Sequence, residues 1–313
     1  MNDVGTPPKF RHRVEYFAAR SAEFLFRILP YPVCVRLAKG LAWLAFHVVR
    51  WRRKEAARRM RQVFPEMPAA EIRRNVWRST ETLFLNIAEI MHLHGLTDAW
   101  MKRHVANYKQ TVEKIRASIS EGGAILALPH FGNWDLAGIV VARCGIPIFS
   151  VAGVQHNPLT NDWINRKRAT GIAILSRGST ALRQIVKRLK SHEVLAILPD
   201  VRMKTPDIEI PFLGATANLG RGMATFARKT GSPILVANVR RTSASRHFLD
   251  VGEPIEPDMA LDEDSDILRM TKAAMAQIES QIRSDPGQWF WFNKRWVLEP
   301  LSPSDISNAT HTP

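Results

Sequence analysis

The chain has 313 residues, of which 45% are hydrophobic and 23% are charged, and this balance excludes a mainly disordered chain. Its 44 lysines and arginines outnumber 29 acidic residues, and the formal net charge of +15 favours an anionic partner: nucleic acid, an acidic protein or an anionic membrane. Its two cysteines, Cys34 and Cys144, do not form a C-x-x-C pair, which excludes a zinc ribbon or a disulfide framework and indicates a reducing compartment.

The N-terminal third predicts helices and no strands. Helical patterns cover residues 10–29 and 33–60, and the prolines at positions 30 and 32 separate them. A turn around Pro65 and Pro68 follows, and helical periodicity returns from residue 71 to residue 94. This region is therefore predicted to be a group of helices that precedes the rest of the fold.

An apolar stretch from residue 31 to residue 49 predicts contact with a membrane. Arg36 and Lys39 interrupt it, so its uncharged part is shorter than the roughly 20 residues that cross a bilayer as a helix. A group of cations follows directly: Arg50, Arg52, Arg53 and Lys54. Apolar surface that ends in cations is typical of a helix lying on an anionic membrane, and a buried helix with a solvated basic end is the alternative.

From residue 106 onward, strands alternate with helices. A helix is predicted over residues 106–120. Short apolar runs then predict strands at 124–129, 146–151, 172–175, 194–198, 233–239 and 247–254. Helical patterns lie between and after them, at 133–143, 160–169, 179–190, 219–229 and 264–283.

This alternation predicts an α/β fold, with a mixed sheet flanked by helices and an N-terminal helical membrane-docking region. We divide the chain into the docking region 1–95, an α/β domain 96–300 and a disordered tail 301–313.

His130 and Asp135 are the first candidate catalytic residues. His130 follows a predicted strand, at the junction with a helix where α/β enzymes place reactive groups. The helix that starts near Asn133 is expected to carry Asp135 back toward the imidazole. A carboxylate on one ring nitrogen fixes the tautomer and raises the basicity of the other nitrogen. The pair predicts a general base, and a structural histidine is an equally open interpretation of this motif alone.

The sequence around this motif resembles a known family. A His-x4-Asp motif after an apolar strand is the signature of glycerolipid acyltransferases. The setting Leu-Pro-His-Phe-Gly-Asn-Trp-Asp over residues 128–135 is similar to the lipid A biosynthesis (lauroyl/myristoyl) acyltransferases and the related mycobacterial mannoside acyltransferases. Further blocks follow the family's order, at residues 52–65, 157–171, 198–214, 230–233 and 286–296.

The resemblance implies roles for individual residues. His130 is the general base and Asp135 its charge partner. Arg168 contacts the polar head or the acyl carbonyl region, although a solvated helix charge is the structural alternative and the neighbouring Arg166 is a second choice. Asp200 corresponds to an acidic residue near the catalytic histidine, with a turn-starting aspartate as the alternative. The candidate substrate-binding residues are thus Arg168, Asp200, Asn133 and Arg166.

The implied reaction moves a fatty acyl chain from acyl carrier protein or acyl-CoA to a hydroxyl of a lipid A precursor or related glycolipid. This makes the protein an O-acyltransferase of lipid A and lipopolysaccharide biosynthesis at the cytoplasmic face of the bacterial inner membrane. We expect the thioester donor and anionic membrane lipids as partners, and no nucleic acid, metal or cofactor. A lysophospholipid or glycerol-phosphate acyltransferase and a non-catalytic basic membrane-binding protein are the alternatives.

Overall fold

The computed structural model describes residues 9–92, 97–119, 122–151, 157–160, 163, 171–175 and 180–301. The N-terminal third is helical, as predicted. Its helices are α1 (Phe10–Ile28), α2 (Tyr31–Trp43), α3 (Arg53–Val63) and α4 (Ala69–Met91), and α2 continues as a π-helical segment, Leu44–Val49. The single helix predicted over residues 33–60 is wrong, because the backbone turns into the left-handed region at Arg50 (φ 58°) and Arg52 (φ 47°).

The α2 helix and its π-helical extension pack one face against the protein. The buried side chains on that face recur at every fourth position: Cys34, Ala38, Ala42 and Phe46. They face α4, the helix with which α2 makes its main contact. Within the described ranges, Tyr31–Val49 is the one stretch that is long and apolar enough to cross a membrane.

Nine strands are present among the described residues: β1 (Val105–Ala106), β2 (Ala124–Ala127), β3 (Ile148–Val151), β4 (Ala173–Leu175), β5 (Val194–Ile197), β6 (Ile208–Phe212), β7 (Ala215–Leu219), β8 (Ile234–Ser243) and β9 (Arg246–Val251). Seven of them form one sheet in the order β1-β9-β8-β2-β5-β3-β4. All neighbours are parallel except β8 and β9. The predicted mixed sheet is confirmed, whereas the antiparallel hairpin of β6 and β7 was missed and Leu219 ends a strand instead of starting a helix.

Helices cover both faces of this sheet. They are α5 (Asp98–His104), α6 (Tyr108–Ser118), α7 (Trp134–Arg143), α8 (Ala181–Leu189), α9 (Gly222–Thr230) and α10 (Glu263–Ser284). The central strand β2 is fully buried, and its residues alternate between two hydrophobic cores. Ile125 and Ala127 belong to the core shared with α3, α4, α8, α9 and α10, whereas Ala124 and Leu126 belong to the core shared with α5, α6 and α7. The predicted flanking of the sheet by helices is confirmed.

The predicted boundary at residue 95 stays a prediction. α4 lies on its N-terminal side, yet it packs against the 3-10 turn Pro286–Gln288 near the other end of the chain. Most of the helix predicted over residues 160–169, and the predicted tail apart from Leu301, lie outside the described residues.

Candidate active site

The candidate site lies at the carboxyl ends of neighbouring strands. β2 pairs in parallel with β5 on one side and with β8 on the other. His130 follows β2, and Asp200 follows β5. Because parallel strands end at the same edge of a sheet, two residues that are 70 positions apart in sequence become neighbours.

Asp200 holds His130 through two hydrogen bonds. The carboxylate oxygen Oδ1 accepts from the imidazole Nδ1 at 2.8 Å, and Oδ2 accepts from the backbone N–H of His130 at 2.8 Å. Because a carboxylate can only accept, Nδ1 carries a proton, and in the neutral imidazole the lone pair is therefore on Nε2. The Asp200 side chain is fully buried and the imidazole is 19% exposed. The ring is thus held in the tautomer that a general base requires.

Asp200 is ionised in this environment. Its burial alone raises the pKa of the carboxyl group, but the imidazole of His130 and the hydrogen bonds from His130 and Trp289 outweigh that effect. The pKa of Asp200 is therefore held below its ordinary value. An ionised carboxylate at this position stabilises positive charge on the imidazole.

The acid on Nδ1 is therefore Asp200, where the motif predicted Asp135. Asp135 lies half-buried in the first turn of α7, which begins four residues after His130. His130 itself lies outside that helix, and its imidazole turns toward β5 because one carboxylate binds both its ring and its backbone N–H. A catalytic role for Asp135 stays a prediction. Arg166 and Arg168 lie outside the described residues.

Gly132 lets the chain turn from His130 into α7. Its φ is +56°, and a Cβ at this position would lie 1.7 Å from the carbonyl oxygen of Val239 in β8. No other residue type fits without moving β8. The backbone N–H of Gly132 donates to the carbonyl of Gln288 at 3.0 Å, and its own carbonyl accepts from Asn86 at 2.6 Å. The turn is therefore held from three separate parts of the chain.

Asn133 has a structural contact at each end of its side chain. Its Oδ1 accepts from the N–H of Leu136 at 3.1 Å and caps α7, while its Nδ2 donates to Oε2 of Glu89 at 2.6 Å. The residue is buried. These contacts give Asn133 a structural role, and the substrate contact implied for it stays a prediction.

Glu89 of α4 is the centre of a buried polar network behind the site. Arg241 donates to both of its oxygens, at 2.8 and 2.7 Å, and His247 and the Tyr31 hydroxyl donate at 3.0 and 2.9 Å. Burial raises the pKa of the Glu89 carboxyl, but Arg241 above all reverses this, and the pKa lies well below its ordinary value. The guanidinium of Arg241 supplies the positive charge that balances Glu89. Burial lowers the pKa of His247, and its imidazole therefore donates to Glu89 as a neutral ring.

Aromatic side chains surround the imidazole. The ring centroids of Trp134 and Phe290 lie 5.1 and 6.1 Å from that of His130, and 5.9 Å from each other. The backbone N–H of Phe290 donates to the carbonyl of His130 at 2.8 Å. Phe290, which belongs to the C-terminal block 286–296, is therefore part of the site. In the portion of the chain that the structure describes, no group of three or more His, Cys, Asp or Glu residues is arranged to hold a metal ion.

Sequence reasoning missed Glu89, Arg241 and Trp289 as parts of this site. A single Glu in a long helix and an Arg at a strand end carry no signal, because charged residues are common there. The run of tryptophans around Trp289 did carry a signal, but aromatic residues at such spacing usually pack in a core.

Comparisons with known proteins agree with the resemblance. A sequence model described as bacterial lipid A biosynthesis acyltransferase matches residues 5–297. The chain is 27% identical over 282 residues to the lipid A biosynthesis lauroyltransferase of Escherichia coli K12, and the alignment covers 87% of this chain and 88% of that protein. It is 24% identical over 217 residues to the phosphatidylinositol mannoside acyltransferase of Mycobacterium tuberculosis, over 67% of this chain but only 66% of that relative's length.

A solved structure of the 1-acyl-sn-glycerophosphate acyltransferase of Thermotoga maritima overlays on 82% of this chain and 98% of its own, with a TM-score of 0.37 and 14% identity. That likeness is too distant to carry an argument. The family match extends over nearly the whole chain and confirms the predicted family, whose named members are acyltransferases. The chain belongs to the bacterial lipid A biosynthesis acyltransferase family.

Proposed function

We propose that the protein transfers a fatty acyl chain from a thioester donor to a hydroxyl of a lipid A precursor or a related glycolipid, with His130 as the general base. The observation that carries this proposal is the pair of hydrogen bonds that His130 donates to Asp200 at the carboxyl ends of two parallel strands. This arrangement leaves Nε2 able to accept a proton, which a hydroxyl must lose when it attacks a carbonyl.

The reaction then runs in one displacement. Nε2 of His130 takes the proton of the acceptor hydroxyl while its oxygen forms a bond to the thioester carbonyl carbon. Asp200 stabilises the imidazolium that results. The carbon–sulfur bond breaks, and the imidazolium returns the proton to the departing thiolate. The products are the ester and the free thiol, and no covalent enzyme intermediate is needed.

The negative charge on the thioester oxygen needs its own stabilisation. The turn at the site does not supply it, because its four backbone N–H groups are already donated: His130 to Asp200, and residues 131, 132 and 133 to the carbonyls of Pro129, Gln288 and Val239. We assign this role to the cation Arg168 on the basis of the family resemblance.

The donor and acceptor follow from the relatives and from charge. The lauroyltransferase relative aligns over 88% of its length and favours a lipid A precursor, and the mycobacterial relative supports the wider class of glycolipids. The net charge of +15 suits both an acidic acyl carrier protein and an anionic lipid. We propose acyl carrier protein as the donor, with acyl-CoA as the alternative.

We also propose that the protein docks on the cytoplasmic face of the inner membrane. The outward side of α2 and its π-helical extension exposes large apolar side chains: Leu37, Leu41, Trp43, Leu44, Val48 and Val49. Exposed cations follow at Arg50 and Lys54. Because the opposite face of this segment packs on α4, it lies on the bilayer surface in this proposal and does not cross it.

The function is tested with purified full-length protein. Thioesters of acyl carrier protein and of coenzyme A are each offered with a lipid A precursor, a phosphatidylinositol mannoside and lysophosphatidic acid, and products are identified by mass spectrometry. We expect transfer to a glycolipid hydroxyl, and none by His130→Ala protein with a wild-type melting temperature. Transfer to lysophosphatidic acid alone identifies the glycerolipid alternative, and turnover by His130→Ala contradicts the mechanism.

Membrane docking is tested with vesicles that contain anionic lipid. The double substitution Leu41→Glu and Val48→Glu puts two carboxylates on the docking face, and we expect vesicle binding to fall by about tenfold or more. Leu182→Glu is the matched control, since Leu182 is an exposed leucine on α8. Equal loss in both proteins would place the docking surface elsewhere.

A further inference from the structure

Trp289 contacts the catalytic carboxylate directly. Its indole N–H donates to Oδ2 of Asp200 at 2.8 Å, inside the protein. The same Oδ2 accepts from the backbone N–H of His130. Two donors from distant parts of the sequence therefore hold this oxygen. The other oxygen, Oδ1, is then directed at the imidazole. The orientation of the carboxylate thus depends on a residue 89 positions away in sequence.

The backbone around Trp289 is tied to the same loop. The N–H of Phe290 donates to the carbonyl of His130, and the carbonyl of Gln288 accepts from Gly132. The backbone of Trp289 itself pairs with that of Phe131 in an isolated antiparallel β-bridge. The backbone that carries the indole is therefore held against the turn that follows His130.

We propose that Trp289 is a positioning residue that holds the Asp200 carboxylate against His130 and, through its N–H, withdraws negative charge from it. The inference rests on the proposed function, in which His130 is the base. A hydrogen bond to a carboxylate stabilises its charge and makes it a weaker partner for a neighbouring cation. Trp289 thereby limits how strongly Asp200 stabilises the imidazolium of His130.

Core packing is the competing explanation for Trp289. It belongs to a tryptophan cluster, Trp289, Trp291 and Trp296, whose ring centroids lie 4.8 to 5.6 Å apart and whose members are all buried. The three differ in what the indole N–H does. That of Trp291 donates to the carbonyl of Pro286 at 2.7 Å, and that of Trp296 has no hydrogen-bond partner in the described part of the chain.

This difference supplies matched controls. Trp289→Phe, Trp291→Phe and Trp296→Phe each remove a similar volume from one cluster, but only the first removes a donor from Asp200. The rate kcat/KM of the full-length enzyme is measured against pH, and the imidazole of His130 is titrated by nitrogen-15 NMR, with His130→Gln to assign its signal.

With Trp289→Phe, the carboxylate regains charge and the imidazolium becomes more stable. We expect the acid limb of the pH profile and the NMR pKa of His130 to rise together by about half a unit to one unit. Trp291→Phe and Trp296→Phe should lower the melting temperature by a similar amount and leave both values unchanged. An unchanged His130 titration in Trp289→Phe, or an equal rise in all three proteins, overturns the proposal.

A second measurement covers the case in which Trp289→Phe does not fold. Site-specific incorporation of 5-fluorotryptophan at position 289 keeps the shape of the ring and makes its N–H a stronger donor, so the His130 titration should shift downward. No shift overturns the proposal. The NMR readout needs no turnover, so absence of acyl transfer contradicts the proposed function, whereas a normal enzyme with an unmoved titration contradicts only the role of Trp289.

Discussion

Asp200→Asn tests whether Asp200, which contacts Nδ1 in the structure, or Asp135 of the sequence motif is the acid partner of His130. Oδ2 of Asp200 accepts from two donors, the backbone N–H of His130 and the indole N–H of Trp289, whereas Oδ1 accepts from Nδ1 alone. The amide oxygen of an asparagine must therefore occupy the Oδ2 position, since the opposite orientation would leave two buried donors unpaired at a cost of about 1–3 kcal/mol each. Its NH2 group then faces Nδ1.

That orientation reverses the tautomer. Nδ1 has to accept from the amide, so the ring proton moves to Nε2 and the lone pair that deprotonates the hydroxyl is lost. We expect kcat/KM to fall by about 10³- to 10⁴-fold, the full contribution of a positioned general base, or roughly 4–5.5 kcal/mol of transition-state stabilisation. The melting temperature should change little, because the hydrogen bonds to the substituted side chain can all still form.

The assay follows acyl transfer to the glycolipid acceptor under single-turnover conditions, so that slow product release does not conceal the chemical step. Asp135→Asn is the comparison, because it removes the same charge from the acid of the sequence motif. If folded Asp200→Asn protein retains most of its rate while Asp135→Asn loses it, Asp135 is the acid partner and the assignment made from the Nδ1 contact is refuted.

Three further predictions concern the framework of the site. Gly132→Ala should lower the free energy of unfolding by more than about 2 kcal/mol in urea titrations, since its Cβ meets the carbonyl of Val239 and its φ is positive. Glu89→Gln should cost about 3–5 kcal/mol by the same measurement because it leaves Arg241 buried without its partner, while Glu81→Gln on the same helix should cost less than about 1 kcal/mol. Burial lowers the pKa of His247, so the unfolded chain binds a proton below about pH 6.5 that the folded protein resists. The free energy of unfolding should therefore fall between about pH 6.5 and 5 in the wild type and fall less in His247→Gln; equal slopes would contradict the neutral ring.

The strands and the position of His130 were predictable because they depend on local sequence. A short apolar run such as residues 124–127 is buried on both faces of a sheet, and the residue after it lies at the strand end whatever the neighbouring strands are. The order of the strands in the sheet, by contrast, could not be predicted from local sequence. β5 lies beside β2 although β3 and β4 come between them in the chain, and no local pattern specifies that neighbour. The contact between Asp200 and Nδ1 depends on this order.

That Asp200, and not Asp135, contacts Nδ1 has a more general physical cause. Within a helix, residues three or four positions apart lie on one face, and a spacing of five directs two side chains apart. Here the chain also turns at Gly132 before α7 begins. Asp200 can take the position on Nδ1 because it also binds the backbone N–H of His130, a contact that side-chain patterns do not encode. The catalytic geometry is thus built from backbone groups of the turn and from three distant segments, at Glu89, Asp200 and Trp289. For this reason substitutions at Gly132 or Trp289 are expected to alter catalysis even where they touch no substrate.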